Sequence, residues 1–331
     1  MDLLHSTPQG MYCPQADVFI DPWRPVARAL ITHAHSDHAR PGMGQYLAQH
    51  GSAPILRQRL GADIDLQTVA YGETVTVNGV RFSFHPAGHI VGSAQIRVEW
   101  RGEVWVVSGD YKLEADGLSA PFEPLRCHCF ITESTFGLPI YRWQPQEAVA
   151  AEIADWWRRN AAAGKASLLI GYALGKAQRL LHALPAEGPG PVYAHGAILA
   201  VHDALRAQGV PVREALAVSG SEPKSAWRGA LILAPPNAAD SAWTRRFEPL
   251  STGIASGWMA LRGARRRRAA DRGFVLSDHA DWDGLNAAIR ATGAERILVT
   301  HGYSELFSRW LCEQGYDARP LETGFEGEAD G

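Results

Sequence analysis

Polar and apolar residues alternate at short range through the first 135 positions of the chain, in runs separated by turns that contain glycine. Alternation with a period of two is typical of strands that bury one face. Residues 27–32 are mostly apolar instead, which predicts a strand covered on both faces, as in a parallel sheet. We therefore expect a β-rich layer here, with further strands at residues 74–77, 81–85, 94–99 and 104–108.

Beyond the first 145 residues the pattern changes to alternating helices and strands. Residues 146–163 and 174–184 carry apolar side chains at helical spacing, and the short apolar run at 167–171 between them is typical of a strand. Strands predicted at residues 274–277 and 296–300 each end in a loop that contains histidine and leads into a helix. This alternation predicts a protein of the α/β class.

Motifs rich in histidine and aspartate occur before residue 135 and again after residue 275, on either side of the helix–strand alternation. We interpret the middle of the chain as a domain inserted between two parts of one catalytic core. The predicted boundaries are residues 1–140 for the first part of the core, 141–265 for the inserted domain and 266–331 for the returning part.

Composition narrows the class of protein. The 331 residues suffice for one large or two ordinary domains, and the 46% hydrophobic content supports a sizeable core. Four scattered cysteines are too few for a disulfide framework. No apolar run is long enough to span a membrane, and the first ten residues lack a secretory pattern, so we expect a cytoplasmic protein without a membrane partner. The net charge of −3 at pH 7 does not by itself indicate nucleic acid.

The sequence THAHSDH, at residues 32–38, places three histidines and one aspartate directly after the apolar strand predicted before it. His33 and His35 are two positions apart, so at the end of an extended strand their side chains lie on one side. Asp37 and His38 follow at the turn, where they can face a second ion. Two divalent ions about 3.5–4 Å apart activate water near neutral pH. The cluster therefore predicts a metal site.

Three further strand ends offer ligands of the same kind, namely His89 in PAGH, Asp110 in SGD and His301 in THG. The two carboxylate oxygens of Asp110 can bridge two cations. With the first cluster, these side chains give five histidines and two aspartates, enough for two divalent ions. Imidazole combined with carboxylate suits Zn²⁺, Mn²⁺ or Fe²⁺, and the order of metal affinities alone does not choose between them.

Two other side chains suit acid–base chemistry rather than metal binding. Glu133 stands at the end of an apolar strand pattern, in ITEST, and His279 stands before a predicted helix, in SDHADW. A histidine protonated beside a carboxylate is a suitable acid for an alkoxide leaving group. Asp21, in FIDPW, is a candidate for orienting a ligand histidine, and a simple turn role before Pro22 is the alternative.

THAHSDH, PAGH, SGD and THG, in this order along the chain, resemble the metallo-β-lactamase fold. ITEST, the histidine of SDHADW and GYALGKAQRLL resemble its nucleic-acid branch, the β-CASP family, and the likeness runs from Asp21 to His301. The opening segment LLHSTPQGMYCPQADVFIDPWRPV is most similar to bacterial ligase-associated DNA exonucleases, which are sometimes named mRNA 3′-end processing factors by similarity. The resemblance implies a four-layer αββα sandwich with an inserted α/β β-CASP domain.

The resemblance also implies roles for individual residues. One metal ion would be held by His33, His35 and His89, the other by Asp37, His38 and His301, with Asp110 bridging the two. Asp37 is placed among the catalytic residues as well. Glu133 would match the first β-CASP motif, and His279, which matches the second, would protonate the leaving oxygen.

Two substrate-binding residues are expected in the same frame. Lys176 opens a predicted helix in GYALGKAQRLL and would contact a substrate phosphate, with Ser277 as the second candidate. A solvated lysine in the first helical turn is the alternative. The run Arg265–Arg268 would line the path of a nucleic-acid strand, and a solvated loop or linker fits it equally well.

These residues together predict metal-assisted hydrolysis of phosphodiester bonds in nucleic acid. By resemblance, the expected protein is a DNA exonuclease that acts in DNA repair or end processing beside a DNA ligase. An RNA-processing nuclease is the alternative, because His301 at the third motif resembles RNA-processing members, whereas Artemis-type DNA nucleases carry an apolar residue there. A small-molecule metallohydrolase would need the metal cluster but not Lys176, Glu133 or His279.

Overall fold

The computed structural model describes residues 2–239, 241–261, 263 and 270–321. Within them the chain divides into two compact units. The first unit comprises residues 2–115, 119–142 and 279–321, and the second comprises residues 116–118 and the described part of 143–278. The run Arg265–Arg268 lies outside the described residues. The first unit combines two sheets with helices, and the second combines one sheet with helices, which confirms the α/β class.

The first unit begins with a sheet of consecutive strands. In the described part of the chain this sheet has six strands in the order β1-β2-β3-β4-β5-β6, namely β1 (His5–Thr7), β2 (Gly10–Cys13), β3 (Val18–Ile20), β4 (Arg28–Ile31), β5 (Gln45–Gln49) and β6 (Leu66–Val69). The pairs β1–β2 and β2–β3 are antiparallel, and the others are parallel. β4 is the apolar strand predicted at residues 27–32, and its parallel partners on both sides explain its continuous apolar run.

A second sheet of the first unit carries four of the strands predicted from alternation. Among the described residues it comprises β7 (Thr74–Val77), β8 (Val80–Pro86), β9 (Ala94–Trp100), β10 (Glu103–Val107), β11 (Cys129–Glu133), β18 (Arg296–Thr300) and β19 (Asp317–Pro320), in the order β19-β18-β11-β10-β9-β8-β7. The strands from β7 to β10 pair antiparallel, and those from β10 to β19 pair parallel. The C-terminal strands β18 and β19 thus complete a sheet that the N-terminal part of the chain begins.

The second sheet is covered on both faces, as the period of two along its strands requires. In β10, the side chain of Val107 joins a core cluster shared with residues of the first sheet, such as Leu30 and Leu47. The neighbouring Val106 points to the other face, into a cluster with side chains of two helices. Those helices are numbered α6 (Trp282–Thr292) and α7 (Ser304–Glu313), and they contribute Leu285 and Phe307 to that cluster.

The second unit is built around one parallel sheet. Its described strands are β12 (Ala166–Ile170), β13 (Val192–Ala194), β14 (Leu216–Ala217), β15 (Leu231–Ala234), β16 (Leu250–Ala255) and β17 (Arg272–Phe274), in the order β14-β13-β15-β12-β16-β17. The helices of this unit are α2 (Gln146–Ala162), α3 (Lys176–Ala183), α4 (Gly196–Arg206) and α5 (Ala242–Arg245). Leu169 of β12 packs against apolar side chains of α2, α3 and α4, and Leu168 packs into a separate cluster on the opposite face.

The return to the first unit occurs later than the predicted boundary at residue 266. β17 pairs in parallel with β16 of the second unit, with Phe274 opposite Ala255. The Phe274 side chain is 1% exposed and packs in the core of that unit. The chain rejoins the first unit at His279. An apolar run predicts a strand but not the sheet that the strand joins, which explains the difference.

None of the helices within the described ranges combines the length and the apolar character that crossing a lipid bilayer requires.

Candidate metal centre

Strand ends of the first unit bring one group of three histidines together. The loop after β4 carries His33 and His35, and the loop after β8 carries His89. His35 Nδ1 lies 3.1 Å from His33 Nε2 and 3.0 Å from His89 Nε2. His33 and His89 are buried, and His35 is half-buried. One nitrogen of each histidine and one oxygen of Asp110 lie within 4.8 Å of one another, a grouping able to hold a metal ion.

A second group joins the same loop to the C-terminal part of the first unit. Asp37 and His38 follow His35 in the chain, and His301 follows β18. The rings of His38 and His301 stack with centroids 5.2 Å apart. Ligand atoms of these three residues also lie within 4.8 Å of one another. The sequence pattern of strand followed by histidine therefore marks two separate strands that converge here.

One oxygen of Asp110 lies between the two groups. Asp110 Oδ2 is 3.6 Å from His33 Nε2 and 3.9 Å from His89 Nε2, both of the first group. The same oxygen is 3.4 Å from His38 Nε2, which belongs to the second. A carboxylate at this position can serve both groups at once.

Backbone geometry allows these strand ends to approach. Gly109, directly before Asp110, has φ +56°, and a Cβ atom there would lie 2.7 Å from the Thr32 side chain. Gly88, directly before His89, has φ +76°, and its Cβ atom would lie 2.1 Å from the carbonyl oxygen of Lys112. Both positions require glycine because a side chain would force the ligand-bearing loops apart.

Asp21 contacts the loop that carries the histidines. Its Oδ1 accepts a 2.8 Å hydrogen bond from the Thr32 backbone N–H, and its Oδ2 lies 2.7 Å from His38 Nδ1. A carboxylate on Nδ1 fixes the ring so that Nε2 faces the Asp110 carboxylate. The predicted orienting role of Asp21 stays a prediction, and this contact is the geometry that it needs.

Charge and burial act against each other in this centre. Burial alone would lower the pKa of His38, but the charges of Asp110 and Asp37 outweigh it and raise that pKa well above its usual value. Burial likewise would raise the pKa of Asp110, and the neighbouring His38 and His279 hold it well below its usual range instead. For His33, burial prevails and lowers the pKa. The carboxylate of Asp110 and the imidazole of His38 thus stabilise each other's charge in a largely buried site.

The donor set fits divalent metal ions. Asp37 Oδ1 is buried without a hydrogen-bond partner among the described residues, although an isolated buried carboxylate oxygen is costly. Imidazole nitrogens and carboxylate oxygens gathered at this density are the ligands that Zn²⁺, Mn²⁺ and Fe²⁺ accept. A cation between these atoms would satisfy that oxygen.

Glu133 and His279 form a buried pair beside the centre. His279 Nδ1 lies 2.8 Å from Glu133 Oε2 and 3.1 Å from Oε1. Glu133 also accepts hydrogen bonds from the Tyr111 backbone N–H, at 2.9 Å, and from the Thr135 hydroxyl, at 2.5 Å. Burial raises the pKa of Glu133, although the charge of His279 opposes the shift. His279 Nδ1 is 3.9 Å from Asp110 Oδ2, so the pair adjoins the metal groups.

The two predicted substrate-binding residues lie in the second unit. Lys176 is the first residue of α3, as predicted, but its side chain is 3% exposed and its Nζ lies 3.2 Å from Asp278 Oδ2. Arg179 donates to the carbonyl oxygen of Ser277 and lies 3.3 Å from Asp278 Oδ1. The solvated alternative for Lys176 is wrong, because its ammonium is buried in an ion pair. Contact of Lys176 or Ser277 with substrate stays a prediction.

Sequence reasoning missed several residues that contact the predicted site residues or lie next to them in the chain. Thr135 and Asp278 stand inside the motifs ITEST and SDHADW, next to residues already singled out, so their position was a usable signal. Arg179 lies one helical turn after Lys176, and this spacing was a weaker signal. Arg59, which donates to the carbonyl oxygen of Ala34 between His33 and His35, gave no signal, because a basic residue near a helix end is common on protein surfaces.

Comparison with known proteins identifies relatives over different lengths. A probable DNA ligase from Opitutus terrae is 33% identical over 315 residues, which cover 93% of this chain and 30% of the ligase. Endoribonuclease YSH1 of Saccharomyces cerevisiae is 34% identical over 118 residues, or 35% of this chain and 15% of that protein. Cleavage and polyadenylation specificity factor 73 of Drosophila melanogaster is 27% identical over 161 residues, which cover 46% of this chain and 23% of that protein. This chain spans less than a third of the length of each.

Two further comparisons complete this result. A crystal structure of a protein of unknown function from Enterococcus faecalis superimposes with a TM-score of 0.58 at 11% identity, over 91% of this chain and 80% of that one. At that identity the likeness concerns the fold alone. No family model matches the chain.

Proposed function

We propose that this chain, a relative of the β-CASP nucleases of the metallo-β-lactamase fold, hydrolyses phosphodiester bonds in nucleic acid with two divalent metal ions. The observation that carries the proposal is the position of Asp110 Oδ2. This oxygen lies within 4 Å of histidines from both metal groups and of His279, which is paired with Glu133. Metal ligands and an acid–base pair thus adjoin one atom.

The proposed division of the metal ligands follows the resemblance. His33, His35 and His89 would hold one ion, and Asp37, His38 and His301 the other, with Asp110 shared between them. Zn²⁺ is the proposed metal, with Mn²⁺ or Fe²⁺ as alternatives that the same ligands accept. When bound, divalent ions stabilise negative charge on a phosphoryl oxygen and lower the pKa of water. Asp37 is proposed as a catalytic residue as well as a ligand.

His279 is proposed as the general acid for the departing sugar oxygen. Because Glu133 engages Nδ1, the opposite ring nitrogen, Nε2, carries the proton that is transferred. Glu133 holds the ring in this orientation, and Thr135 and the Tyr111 N–H hold the carboxylate of Glu133 in turn. A thioesterase expels a thiolate, which needs protonation less than a sugar oxygen does, and would not require this chain of contacts.

DNA is the proposed substrate and end processing beside a DNA ligase the proposed role. The support is a relative named a probable DNA ligase, which matches 93% of this chain. RNA processing is the second candidate, because relatives named endoribonucleases match the chain at similar identity over a shorter part. We further propose that the first unit is the αββα sandwich of the metallo-β-lactamase fold and the second the β-CASP insertion. A cytoplasmic location stays a prediction.

The test is an assay on nucleic acids of defined structure. The purified protein is incubated with end-labelled single-stranded and duplex DNA and RNA in Zn²⁺, Mn²⁺ or Mg²⁺, beside an Asp110→Ala protein purified identically. Mononucleotide release from DNA by the wild type alone supports the exonuclease proposal. Cleavage of RNA in preference to DNA would move the assignment to RNA processing. Hydrolysis of a lactone or thioester, with every polymer left intact, would overturn the proposal.

A further inference from the structure

Helix α1 (Ala53–Leu60) connects two of the loops that carry metal-ligand candidates in the first unit. Just before the helix, the Ser52 hydroxyl donates a 2.8 Å hydrogen bond to the carbonyl oxygen of Gly92, in the loop that follows His89. At the other end, the Arg59 guanidinium donates to the carbonyl oxygen of Ala34, the residue between His33 and His35. The helix is therefore fixed against both loops of the first metal group.

Arg59 differs from an ordinary surface arginine in the groups that lie near its guanidinium. Ala34 is 1% exposed, so the guanidinium reaches a buried carbonyl of the metal-binding loop, whereas the residue as a whole is exposed. The negative charge of Asp37 acts on the same guanidinium and opposes the lowering of its pKa by burial. An exposed residue thus carries a positive charge to the loop between two metal-ligand candidates.

We propose that Arg59 contacts a backbone phosphate of the nucleic-acid substrate at the edge of the metal centre. The inference rests on the proposed nuclease function and adds a substrate contact to it. An arginine has five N–H donors in a planar fork that matches phosphate oxygens, so a donor given to Ala34 leaves others for a ligand. The contact with Ala34 holds the fork in place beforehand, which reduces the entropy lost when a phosphate binds.

A purely structural role for Arg59 is the competing explanation. In that role the guanidinium would only brace the loop between His33 and His35, and its loss would disturb the metal site. The two explanations differ in what Arg59→Gln changes. Loss of a phosphate contact raises KM for a polymer and leaves a small substrate unaffected, whereas loss of a brace lowers metal content and impairs both substrates.

The experiment compares Arg59→Gln with Arg57→Gln. Arg57 is a matched control, because it is an exposed arginine two positions earlier on the same helix. Arg59→Gln should raise KM for single-stranded DNA about ten-fold with kcat little changed. The slope of the logarithm of the binding constant against the logarithm of the salt concentration should become shallower by about 0.7 on single strands. Hydrolysis of bis(p-nitrophenyl) phosphate and metal content should match those of the wild type. Arg59→Lys should restore part of the affinity, since it keeps the charge without the fork.

A second measurement separates this inference from the nuclease proposal. Binding of a labelled oligonucleotide is measured by fluorescence anisotropy in the His279→Ala background, with and without Arg59→Gln. Equal affinities there, or identical KM for the Arg59 and Arg57 variants, would overturn the contact while leaving the nuclease function standing. Metal loss in Arg59→Gln with equal damage on both substrates would assign Arg59 to bracing instead. Failure of the wild type to bind or cleave any nucleic acid would overturn both proposals.

Discussion

At the residue scale, the contact between Glu133 and His279 distinguishes the proton-transfer role proposed for His279 from the metal binding proposed for its neighbours. His279 Nδ1 faces Glu133 at 2.8 Å, and its contact with the Asp110 carboxylate is longer, at 3.9 Å. His279 belongs to neither of the two groups rich in histidine, although one of its ring nitrogens lies within 4.8 Å of carboxylate oxygens of Asp110 and Glu133. The pair can therefore be tested independently of the ions.

We expect His279→Ala to retain its metal ions and to lose about 10²–10⁴-fold in rate on nucleic acid, the usual contribution of a positioned general acid. The defect should shrink on a nitrophenyl phosphodiester, because that leaving oxygen needs no proton. Steady-state kinetics give the rates on both substrates, and mass spectrometry gives the metal content. His301→Ala is the control, with metal loss and equal damage on both substrates. Loss of metal from His279→Ala would place His279 among the ligands.

Asp21 and Asp110 should differ in how many ions they affect. Asp21→Asn removes the carboxylate 2.7 Å from His38 Nδ1 and should weaken one metal site about 10–100-fold, as loss of such an orienting carboxylate usually does. Asp110→Ala should weaken both sites and abolish activity, because its Oδ2 adjoins both groups. Competition with a chromophoric chelator gives the stepwise affinities. Full activity in Asp110→Ala would contradict the shared role.

At the scale of elements, α3 and the segment after β17 are joined by buried charges. Asp278 stands between Lys176 and Arg179 with its carboxylate 95% buried, and two cations meet one anion. Buried charges of this kind are costly to separate although they add little as a pair. This arrangement fixes the residue that precedes His279 in the chain.

Removal of one cation should therefore destabilise the second unit. We expect Lys176→Met to lower the free energy of unfolding by about 1–3 kcal/mol, less than for a fully unpaired buried charge because Arg179 remains. Urea denaturation of Lys176→Met, Asp278→Asn and the double variant forms a double-mutant cycle. Additive effects would show that the ion pair contributes nothing. An unchanged salt slope of DNA binding in Lys176→Met would also remove Lys176 from the phosphate contacts.

Helix α4 contains a histidine that makes the second unit sensitive to acid. His202 is fully buried, and both of its ring nitrogens lack hydrogen-bond partners among the described residues. Burial, assisted by the charge of Arg206, lowers the pKa of His202 to about 4. An unfolded histidine has a pKa of about 6.5. The unfolded chain therefore binds this proton first as the pH falls.

The stability that His202 contributes is complete above pH 6.5 and is lost as the pH falls from about 6.5 to about 4. The full loss is about 3 kcal/mol for a shift of this size. His202→Leu should remove this dependence, since leucine fills a similar volume and does not titrate. The measurement is the free energy of unfolding of both proteins between pH 7 and pH 4. Parallel curves would contradict the assignment.

At the scale of the whole molecule, local patterns predicted much of the fold. Alternation located β7 to β10, and the apolar run before THAHSDH located β4. Both were predictable because the apolar and polar side chains of a strand follow which of its faces are buried. The resemblance to the β-CASP nucleases is confirmed by the relatives. The structure also gathers the seven predicted metal ligands, whose roles stay predictions. These ligands were visible because histidine and aspartate cluster at strand ends.

Long-range pairing could not be predicted in the same way. β17 joins the sheet of the second unit through its register with β16, which depends on a partner some twenty residues earlier and not on its own pattern. Arg59 reaches Ala34 only because α1 lies beside that loop. Lys176 was expected to meet solvent or phosphate, and its partner Asp278 stands about a hundred residues later. Such contacts depend on the tertiary fold.

Removal of metal should affect the first unit selectively. A ligand present at 100 times its Kd stabilises the folded state by about 2.7 kcal/mol, so chelation should lower Tm. Hydrogen exchange should accelerate at residues 32–38 and 108–111, which carry candidate ligands. Amides of β12 and β15, in the parallel sheet of the second unit, are the internal control and should be unchanged. Equal acceleration in both sheets would contradict a local metal effect.

The order of strands in the second sheet has a consequence for synthesis on the ribosome. β11 emerges early, but its parallel partner β18 is translated only after the entire second unit. During that interval β11 presents an unpaired edge, the kind of edge along which chains aggregate. The second unit is nearly continuous in sequence and can fold while the nascent chain waits. We therefore expect the proposed metal ions to bind late in biogenesis, since His301 follows the last strand to reach β11.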